Sequence, residues 1–250
     1  MTDSINGGKE ETHIVKRAII MAAGIGKRMQ PLTFKTPKPL VKVNGVRMID
    51  TVTEGLRQNG INEIYVVVGY LKEQFYEWAR DKDIVIIENP YYDTCNNISS
   101  LYVARDHLGE CIILDGDQII YNPTILDSHF KLSGYNAVWC EDKTKEWLMD
   151  VKGGVVQSCS RTGGSHGWQL YSISRWTKED GEKLRAHLTR EFESGNRQIY
   201  WDDVAMFCHF QDYKLGIREM QSSDIIEIDG LDELVAIDHS YQYLLESKQS

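Results

Sequence analysis

Short apolar runs that alternate with helical patterns dominate the first half of the chain. Four such runs lie at 17–23, 64–68, 84–87 and 111–114. Helical patterns separate them at 48–58, 71–80 and 98–108. Nearly continuous apolar runs of this length are typical of strands buried on both faces of a parallel sheet. The order of elements predicts an α/β fold with a doubly wound, mostly parallel central sheet and right-handed crossovers.

Two polar loops follow the first and fourth of these strands. One begins at Gly24, and the other is Asp115-Gly116-Asp117. Ligands of such sheets bind beyond the carboxyl ends of the strands. We therefore expect the two loops to face one cleft, although about 90 residues separate them.

The chain changes character after about residue 133. Strand-like pieces follow at 136–140, 147–151, 155–158, 168–173 and 225–228, and helical stretches at 178–192, 202–210 and 232–245. They predict a smaller mixed α/β lid that ends in a closing helix. The chain has 250 residues without an internal repeat or linker, so we expect a mobile tail at 1–15 and one domain at 16–245, with halves at 16–132 and 133–245.

Charge is distributed unevenly along the chain. There are 28 Lys and Arg against 37 Asp and Glu, a net charge of −9, which argues against nucleic acid or an anionic membrane as a partner. The segment 16–47 nevertheless holds eight cations and no acid. A wholly basic segment in an acidic chain indicates a focused site for a small anion.

The sequence favours a cytoplasmic protein. The first fifteen residues lack the apolar core of an export signal. No stretch approaches the roughly 18 apolar residues that a membrane helix needs. The five cysteines are odd in number and none form a Cys-x-x-Cys pair, so we expect reduced thiols.

The loop after the first strand is suited to binding phosphate. Gly24 and Gly26 let the backbone approach phosphate oxygens with its N–H groups exposed, from Ala22 and Ala23 onward. The loop is not a Rossmann fingerprint, because it lacks the third glycine. It is not a Walker loop either, because no Gly-Lys-Ser/Thr ends it.

Three cations accompany these glycines. Lys27 and Arg28 supply positive charge, and the planar guanidinium of Arg28 can engage two phosphate oxygens. Lys38 lies between Pro37 and Pro39, which stiffen its backbone. A basic surface loop without a ligand is the alternative interpretation.

The complete string resembles the motif of the nucleotide-sugar pyrophosphorylase-like superfamily of nucleotidyltransferases. Its pattern, G-x-G-x-R-(M/L)-x-P-L-T-x-x-x-P-K-P-L, is met from Gly24 to Leu40. Lys27 stands where many members have Ser or Thr. Later segments look most like bacterial CTP:phosphocholine cytidylyltransferases, namely 69–75, 96–101, 146–147, 200–202 and 227–229. The resemblance spans about 16–245 and implies a Rossmann-like nucleotidyltransferase fold, with nucleotide bound by the first half and acceptor by the second.

Triphosphate chemistry needs a divalent cation, usually Mg²⁺, held by one or two carboxylates. The resemblance implies Asp117 as a metal ligand and Asp229 as the second. Asp115 is expected beside the nucleotide, where it caps or orients the turn. Glu227 and Asp229 are two residues apart and would share one face of a strand, so either could be the ligand. An ordinary Asp-Gly turn and a strand-end acid pair are the alternatives.

Two further pockets are implied by the resemblance. Asn96, Asn97 and Ser100 open a predicted helix, and the family places this segment against the nucleotide base; simple helix capping is the alternative. For the acceptor, the matching residues are Glu146, Trp147, Tyr200, Trp201 and Asp202.

Aromatic and acidic side chains of this kind suit a quaternary ammonium, which has no N–H to donate and relies on ring faces and negative charge. Many aromatic residues are nonetheless plain core, which is the alternative for each of them.

The resemblance implies the reaction CTP + phosphocholine → CDP-choline + pyrophosphate. Arg28 would hold the β- and γ-phosphates, and Lys38 would bridge the α-phosphate and the acceptor phosphate. A sugar 1-phosphate, phosphoethanolamine or an aminoalkylphosphonate remains open as the acceptor. A regulatory relative that binds nucleotide without turnover is the alternative from another class. The sequence leaves the oligomeric state open.

Overall fold

The computed structural model describes residues 11–246. The strands and helices of the first half are β1 His13–Ile14, β2 Arg17–Ala22, β3 Lys42–Val43, β4 Val46–Arg47, α1 Met48–Gln58, β5 Glu63–Val68, α2 Glu73–Ala79, β6 Val85–Glu88, α3 Ile98–Val103, β7 Cys111–Asp115, β8 Gln118–Ile120 and β9 His129–Phe130. α2 begins later than predicted because Leu71 has a φ of 50°, outside the helical region. α3 ends earlier than predicted, and a 3₁₀ turn at Arg105–His107 follows it.

The second half continues the same sheet. Its elements are β10 Gly134–Cys140, β11 Leu148–Lys152, β12 Val155–Ser160, β13 Gly167–Trp176, α4 Lys178–Glu193, α5 Trp201–Asp203, β14 Gly216–Glu219, β15 Ile225–Glu227, α6 Leu231–Ile237 and α7 Gln242–Glu246.

Two predicted helices of the second half differ from the structure. After α5 the chain widens into a π-helical turn at Val204–Cys208, in which the N–H of His209 donates to the carbonyl of Val204 at 2.9 Å. The predicted closing helix is broken between α6 and α7. Asp238 leaves the helical region there, and its carboxylate accepts from the N–H groups of Asn44 and Ser240.

Helices cover both faces of the central sheet, as predicted. β2 lies between β5 and β7, all parallel, and β6 extends the sheet beyond β5. Alternate side chains of β2 enter two different cores: Ile20 packs with residues of α1 and α2, whereas Ile19 packs with residues of α3 and α4. The prediction of a doubly wound α/β fold is confirmed. The complete nine-stranded sheet contains both parallel and antiparallel pairs, the latter mainly among the strands of the second half.

The strands of the second half close into a ring. β13 pairs with β10 along one edge, and with β11 and then β7 along the other. β14 and β12 complete the ring between β10 and β11. Ten-residue β13 is therefore shared by the ring and the parallel sheet, so the second half of the chain is built onto the edge of the sheet of the first half.

The predicted mobile tail is too long. Residues 1–10 lie outside the described part of the chain, but β1 pairs antiparallel with β9. Val15 is buried, and its N–H donates to the carbonyl of Ser128 at 2.8 Å. Val15 in the core and the ring contact of His13 with Phe130 hold this segment to the domain.

Replacing Gly134 with Ala tests the closure of the ring. A Cβ at Gly134 would lie 1.9 Å from the carbonyl oxygen of Gly216, so Gly134→Ala forces β10 and β14 apart and lowers the free energy of unfolding by about 3 kcal/mol. Gly195→Ala is the control, because Gly195 also has a positive φ but no atom lies within 4 Å of its added Cβ; only backbone strain of about 1 kcal/mol is expected. Urea unfolding measures both, and equal losses would contradict the prediction.

Candidate active site

The phosphate loop is folded tightly against Lys38. Gly26 has a φ of 66°, and a Cβ there would approach Thr33 Cγ2 at 3.0 Å and Lys38 Cβ at 3.1 Å. The hydroxyl of Thr33 donates to the carbonyl of Gly26 at 2.9 Å. Met29 is fully buried among apolar residues of α6 and α7. The loop conformation thus depends on glycine at position 26 and on the C-terminal helices.

Lys38 joins the two predicted carboxylates. Its Nζ lies 2.5 Å from Asp117 Oδ2 and 2.9 Å from Asp229 Oδ1. Burial by itself would lower the pKa of Lys38, but the charges of Asp117 and Asp229 outweigh it and raise the pKa, so the ammonium stays protonated. The predicted meeting of the two loops in one cleft is confirmed by these contacts.

Asp115, Asp117 and Glu227 form a cluster of carboxylates beside Lys38. One oxygen from each lies within 4.8 Å of the others. Burial and the charge of Asp117 raise the pKa of Asp115 well above its ordinary value. Asp117 Oδ1 is buried and has no hydrogen-bond partner within residues 11–246. Carboxylates this close together repel one another when ionised unless a cation neutralises them. Their oxygens are the ligands that hard divalent ions such as Mg²⁺ prefer.

Asp229 lies elsewhere than expected. β15 ends at Glu227, so Glu227 and Asp229 do not share a strand face. The carboxylate of Asp229 accepts from Arg28 Nη2 at 2.9 Å as well as from Lys38, while its N–H donates to Glu233 Oε2 at 2.6 Å. The capping of α6 by Glu233 turns the chain here and directs Asp229 toward the cations.

The cleft around these groups has a volume of about 300 Å³. It is lined by Met21, Ala22, Gly24, Gly26, Lys27, Arg28, Lys38, Pro39, Asp117 and Asp229. Of the predicted loop residues, Ala23 is the one that packs away from this cleft, among apolar residues of the core on the side of α3 and α4. The remaining predicted loop residues are brought together.

A second recess of about 340 Å³ adjoins the loop, and Asn96 lines it together with Ile25, Gly26, Lys27, Tyr92, Asp93, Thr94, Cys95 and Gln198. Asn97 and Ser100 do not line this recess and instead bind other parts of the protein. Asn97 Oδ1 accepts from the N–H of Trp201 at 2.9 Å, and Ser100 Oγ accepts from Asn89 Nδ2 at 3.0 Å. Neither serves as a helix cap. Asn97 is at the cap position of α3 but makes no capping bond with its side chain, and Ser100 lies within the helix.

Tyr92 and Gln198 line this recess but are not among the residues that the sequence predicts. Gly69 is the sequence feature that could have indicated Tyr92. A Cβ at Gly69 would lie 2.6 Å from Tyr92 Cβ, so the tyrosine can occupy this position only beside a glycine. Gln198 donates to the carbonyl of Thr94 at 2.9 Å, which closes the recess from the second half.

The predicted acceptor residues divide into two groups. Trp147 and Tyr200 form a partly exposed ring cluster with Phe207, which the sequence does not predict, and we call this cluster the aromatic recess. Trp147 is edge-on to both partners, at centroid distances of 6.0 and 5.2 Å. Trp201 is instead only 1% exposed and packs against Tyr135 and Trp176. Its ring is therefore core, contrary to the expectation that it faces an acceptor.

Three acids are adjacent in sequence to the elements that carry these rings, namely Glu146 before Trp147 and Asp202 and Asp203 before the π-helical turn. Asp202 is buried, and burial with the charge of Asp203 raises its pKa to about 7. Asp202 also acts on Asp115, whose pKa its charge raises, so the two carboxyls are neighbours. Glu146 is exposed and lies near enough to Tyr171 to raise the pKa of that phenol.

Arg161 is a further residue of this recess that the sequence does not predict. Its guanidinium lies 3.5 Å from the ring centroid of Phe207 and 6.0 Å from that of Trp147. Arg161 Nε donates to Asp203 Oδ1 at 2.7 Å. No motif marks this arginine, since it comes from the turn after β12.

A family model described as the MobA-like NTP transferase domain matches residues 18–190. The chain belongs to this family. The resemblance inferred from the phosphate loop is thus confirmed, and the chain is a nucleotidyltransferase.

Relatives of this nucleotidyltransferase extend over nearly its whole length. It is 40% identical to a 2-aminoethylphosphonate cytidylyltransferase of Lancefieldella rimae, over 92% of this chain and 95% of the relative. It is 31% identical to a choline-phosphate cytidylyltransferase of Streptococcus pneumoniae, over 87% and 94%. The solved structure of the CTP:phosphocholine cytidylyltransferase from Streptococcus pneumoniae matches with a TM-score of 0.82, at 30% identity over 90% of this chain and 98% of that one.

Within residues 11–246 of the nucleotidyltransferase, no helix has the length and apolar character required to span a bilayer. Its five cysteines, all in this range, are free thiols.

Replacing Glu227 tests the carboxylate cluster. The pKa of Glu227 is raised by removal of the carboxyl from water and by the charges of Asp117 and Asp115. The unfolded chain releases this proton above about pH 4.5, whereas the folded protein retains it. The free energy of unfolding therefore falls as the pH rises above that value. At pH 8 and without metal, Glu227→Gln should raise the free energy of unfolding by about 1 kcal/mol, a small gain because Glu227 is at the exposed rim.

Added Mg²⁺ should stabilise the wild type more than this variant. Thermal unfolding with and without Mg²⁺ measures both effects, and Glu182→Gln, an exposed acid on α4, is the matched control. A metal-free variant less stable than the wild type would show that the carboxylates are not crowded.

Proposed function

We propose that this nucleotidyltransferase transfers CMP from CTP to a small zwitterionic acceptor, with release of pyrophosphate. The acceptor carries a phosphate or phosphonate at one end and a cationic nitrogen at the other. Phosphocholine is the acceptor that the sequence resemblance implies, and the 40% identical relative favours an aminoalkylphosphonate.

The division of charge in the cleft is the observation that carries this proposal. Lys27, Arg28 and Lys38 line the cleft at the phosphate loop. Asp202 is near enough to Asp115 to raise its pKa, and the adjacent Asp203 binds Arg161, which lies over the ring of Phe207 in the aromatic recess. A zwitterion needs positive charge around its phosphate or phosphonate and negative charge around its nitrogen. A sugar phosphate has no cationic end and would gain nothing from acids such as Asp202.

The reaction requires no general base, because the attacking oxygen is already anionic. An oxygen of the acceptor phosphate or phosphonate forms a bond to the α-phosphorus of CTP, the bond from that phosphorus to the β-bridging oxygen breaks, and the electron pair leaves with pyrophosphate. Catalysis then consists of positioning and neutralisation of charge. Lys38, fixed between Asp117 and Asp229, holds the α-phosphate beside the acceptor, and Arg28 holds the leaving phosphates.

Arg28 has to exchange one partner for another in this scheme. In the ligand-free protein its guanidinium pairs with Asp229, yet its side chain is 71% exposed. The planar fork can therefore turn to phosphate oxygens without unfolding any packed group. The recess lined by Asn96, Tyr92 and Gln198 lies next to Lys27 and offers amide groups for the cytosine edge.

The carboxylates fit a magnesium ion. Asp117, whose buried Oδ1 has no partner among residues 11–246, and Glu227 would hold it, with Asp115 beside them. Asp229 would join this set on releasing Lys38 or Arg28. A bound Mg²⁺ supplies positive charge to phosphate oxygens. A regulatory relative without turnover is disfavoured, since Asp117, Asp229, Arg28 and Lys38 are all present in the cleft.

We expect CMP transfer to acceptors with a cationic nitrogen. Purified protein with CTP, Mg²⁺ and phosphocholine, phosphoethanolamine or 2-aminoethylphosphonate should release pyrophosphate and form the matching CDP or CMP conjugate. UTP and glucose 1-phosphate should react at least about tenfold more slowly in kcat/KM. Coupled pyrophosphate detection and mass spectrometry of the product measure this. Equal rates with glucose 1-phosphate would refute the zwitterionic acceptor.

Asp117→Asn should lower kcat/KM by about 10²–10³-fold, because the neutral amide neither holds the cation nor balances Lys38. Asp232→Asn, an exposed acid in the first turn of α6, should change it less than twofold. Initial rates at saturating CTP measure both variants. Activity of Asp117→Asn equal to that of the control would remove Asp117 from the mechanism.

A further inference from the structure

The aromatic recess of Trp147, Tyr200 and Phe207 holds a cation of the chain itself. The guanidinium of Arg161 lies over the ring of Phe207 at 3.5 Å and near that of Trp147 at 6.0 Å. Guanidinium groups bind aromatic faces through the same ring quadrupole that attracts a quaternary ammonium. The position suited to a trimethylammonium group is thus filled by an arginine side chain.

A buried acid fixes this arginine. Asp203 is only 5% exposed, and its Oδ1 accepts from Arg161 Nε at 2.7 Å and Nη2 at 2.5 Å. Its Oδ2 accepts from the N–H of Tyr200 at 2.8 Å. Asp203 therefore ties Arg161 to the segment that carries Tyr200, and removal of the guanidinium would leave a buried carboxylate without its counter-charge.

The turn that carries Arg161 is itself held in place. Thr144 and Gly164 exchange both backbone hydrogen bonds, at 2.8 and 3.1 Å. Gly163 has a φ of 75°, and a Cβ there would lie 2.1 Å from the carbonyl oxygen of Thr144, so the turn requires glycine. Arg161 is consequently delivered to the aromatic recess by a defined turn that packs against the segment before Trp147.

A different group remains for the acceptor nitrogen. Asp202 is 6% exposed, and the buried hydroxyl of Tyr135 lies close enough to its carboxylate to act on its pKa. Among the residues that the structure describes, neither this hydroxyl nor Asp202 Oδ1 makes a hydrogen bond of good geometry. Asp202 neighbours Asp115, whose carboxylate clusters with Asp117 next to Lys38. A short acceptor whose phosphorus end lies at Lys38 would have its other end in this direction.

The two kinds of nitrogen differ in what they can give to Asp202. A primary ammonium is small and donates up to three hydrogen bonds, so it can donate to Asp202 Oδ1 and to the hydroxyl oxygen of Tyr135 together. A trimethylammonium group has no N–H to donate to Asp202 and needs aromatic faces, of which that of Phe207 is covered by Arg161.

We propose that Arg161 is a specificity-determining residue that occupies the aromatic recess, disfavours trimethylammonium acceptors and leaves Asp202 to select acceptors with a primary ammonium. This inference rests on the proposed CMP transfer to a zwitterionic acceptor and names the class of acceptor within it.

The test compares phosphoethanolamine with phosphocholine, which differ only in the methyl groups on nitrogen. The measured quantity is the ratio of kcat/KM for the two acceptors, at fixed CTP and Mg²⁺. The wild type should favour phosphoethanolamine by at least about tenfold, and Arg161→Ala should shift the ratio toward phosphocholine by at least about tenfold.

Two further variants separate specificity from folding. Arg161→Gln keeps an N–H donor for Asp203 but carries no charge, and it should shift the ratio in the same direction. Arg185→Ala is the matched control, since Arg185 is an exposed arginine on α4 that pairs with Asp106, and its ratio should equal that of the wild type. Circular dichroism melts show which variants are folded.

Each outcome decides a different point. A wild type that prefers phosphocholine, or folded Arg161→Gln with a ratio within twofold of the wild type, would overturn the role of Arg161 while leaving CMP transfer intact. Failure of the wild type to transfer CMP to any acceptor would overturn the proposed function, and the role of Arg161 with it.

Discussion

The ammonium of Lys38, held between two carboxylates, is the contact on which the cleft depends. It joins the phosphate loop after β2 to Asp117 after β7 and to Asp229 before α6. A lysine with so little exposed surface stays charged only beside acidic partners. The carboxylates in turn need its positive charge, because Asp115 and Glu227 lie close to Asp117 and repel it. The two halves of the chain are thus fastened at the point where substrates have to meet.

Local pattern and strand direction are enough to predict the parallel sheet and the meeting of its two loops. Apolar runs mark the parallel strands, and the rule that ligands bind at carboxyl ends brings Asp117 to Lys38. The burial of Trp201 is beyond such reasoning, because a tryptophan in a motif can face either core or cleft. The role of Arg161 is not predicted for another reason. Its partner Asp203 ends α5 and its partner Phe207 lies in the π-helical turn that follows, both about 40 residues away, and the geometry of that turn has no signal in residue type.

Several matched motif residues hold the site together instead of lining it. Asn97 binds the backbone of Trp201 and fixes the start of α3 against α5, whereas Ser100 binds Asn89 and ties α3 to the end of β6. Trp201 fills the core beneath Asp202 and Asp203, which positions these acids. Family resemblance therefore selects a mixture of groups that contact ligand and groups that support them, and only the three-dimensional arrangement separates the two.

β13 belongs to both halves at once, as a strand of the parallel sheet and of the closed ring. A hinge between the halves would have to tear the hydrogen bonds of this strand from β7, which few substrates could compensate. We therefore expect the two halves to move as one body, so that entry and exit depend on the loops at the mouth of the cleft. An inhibitor would then have to fit the cavity that the two halves already form together, with side chains such as Arg28 making the adjustment.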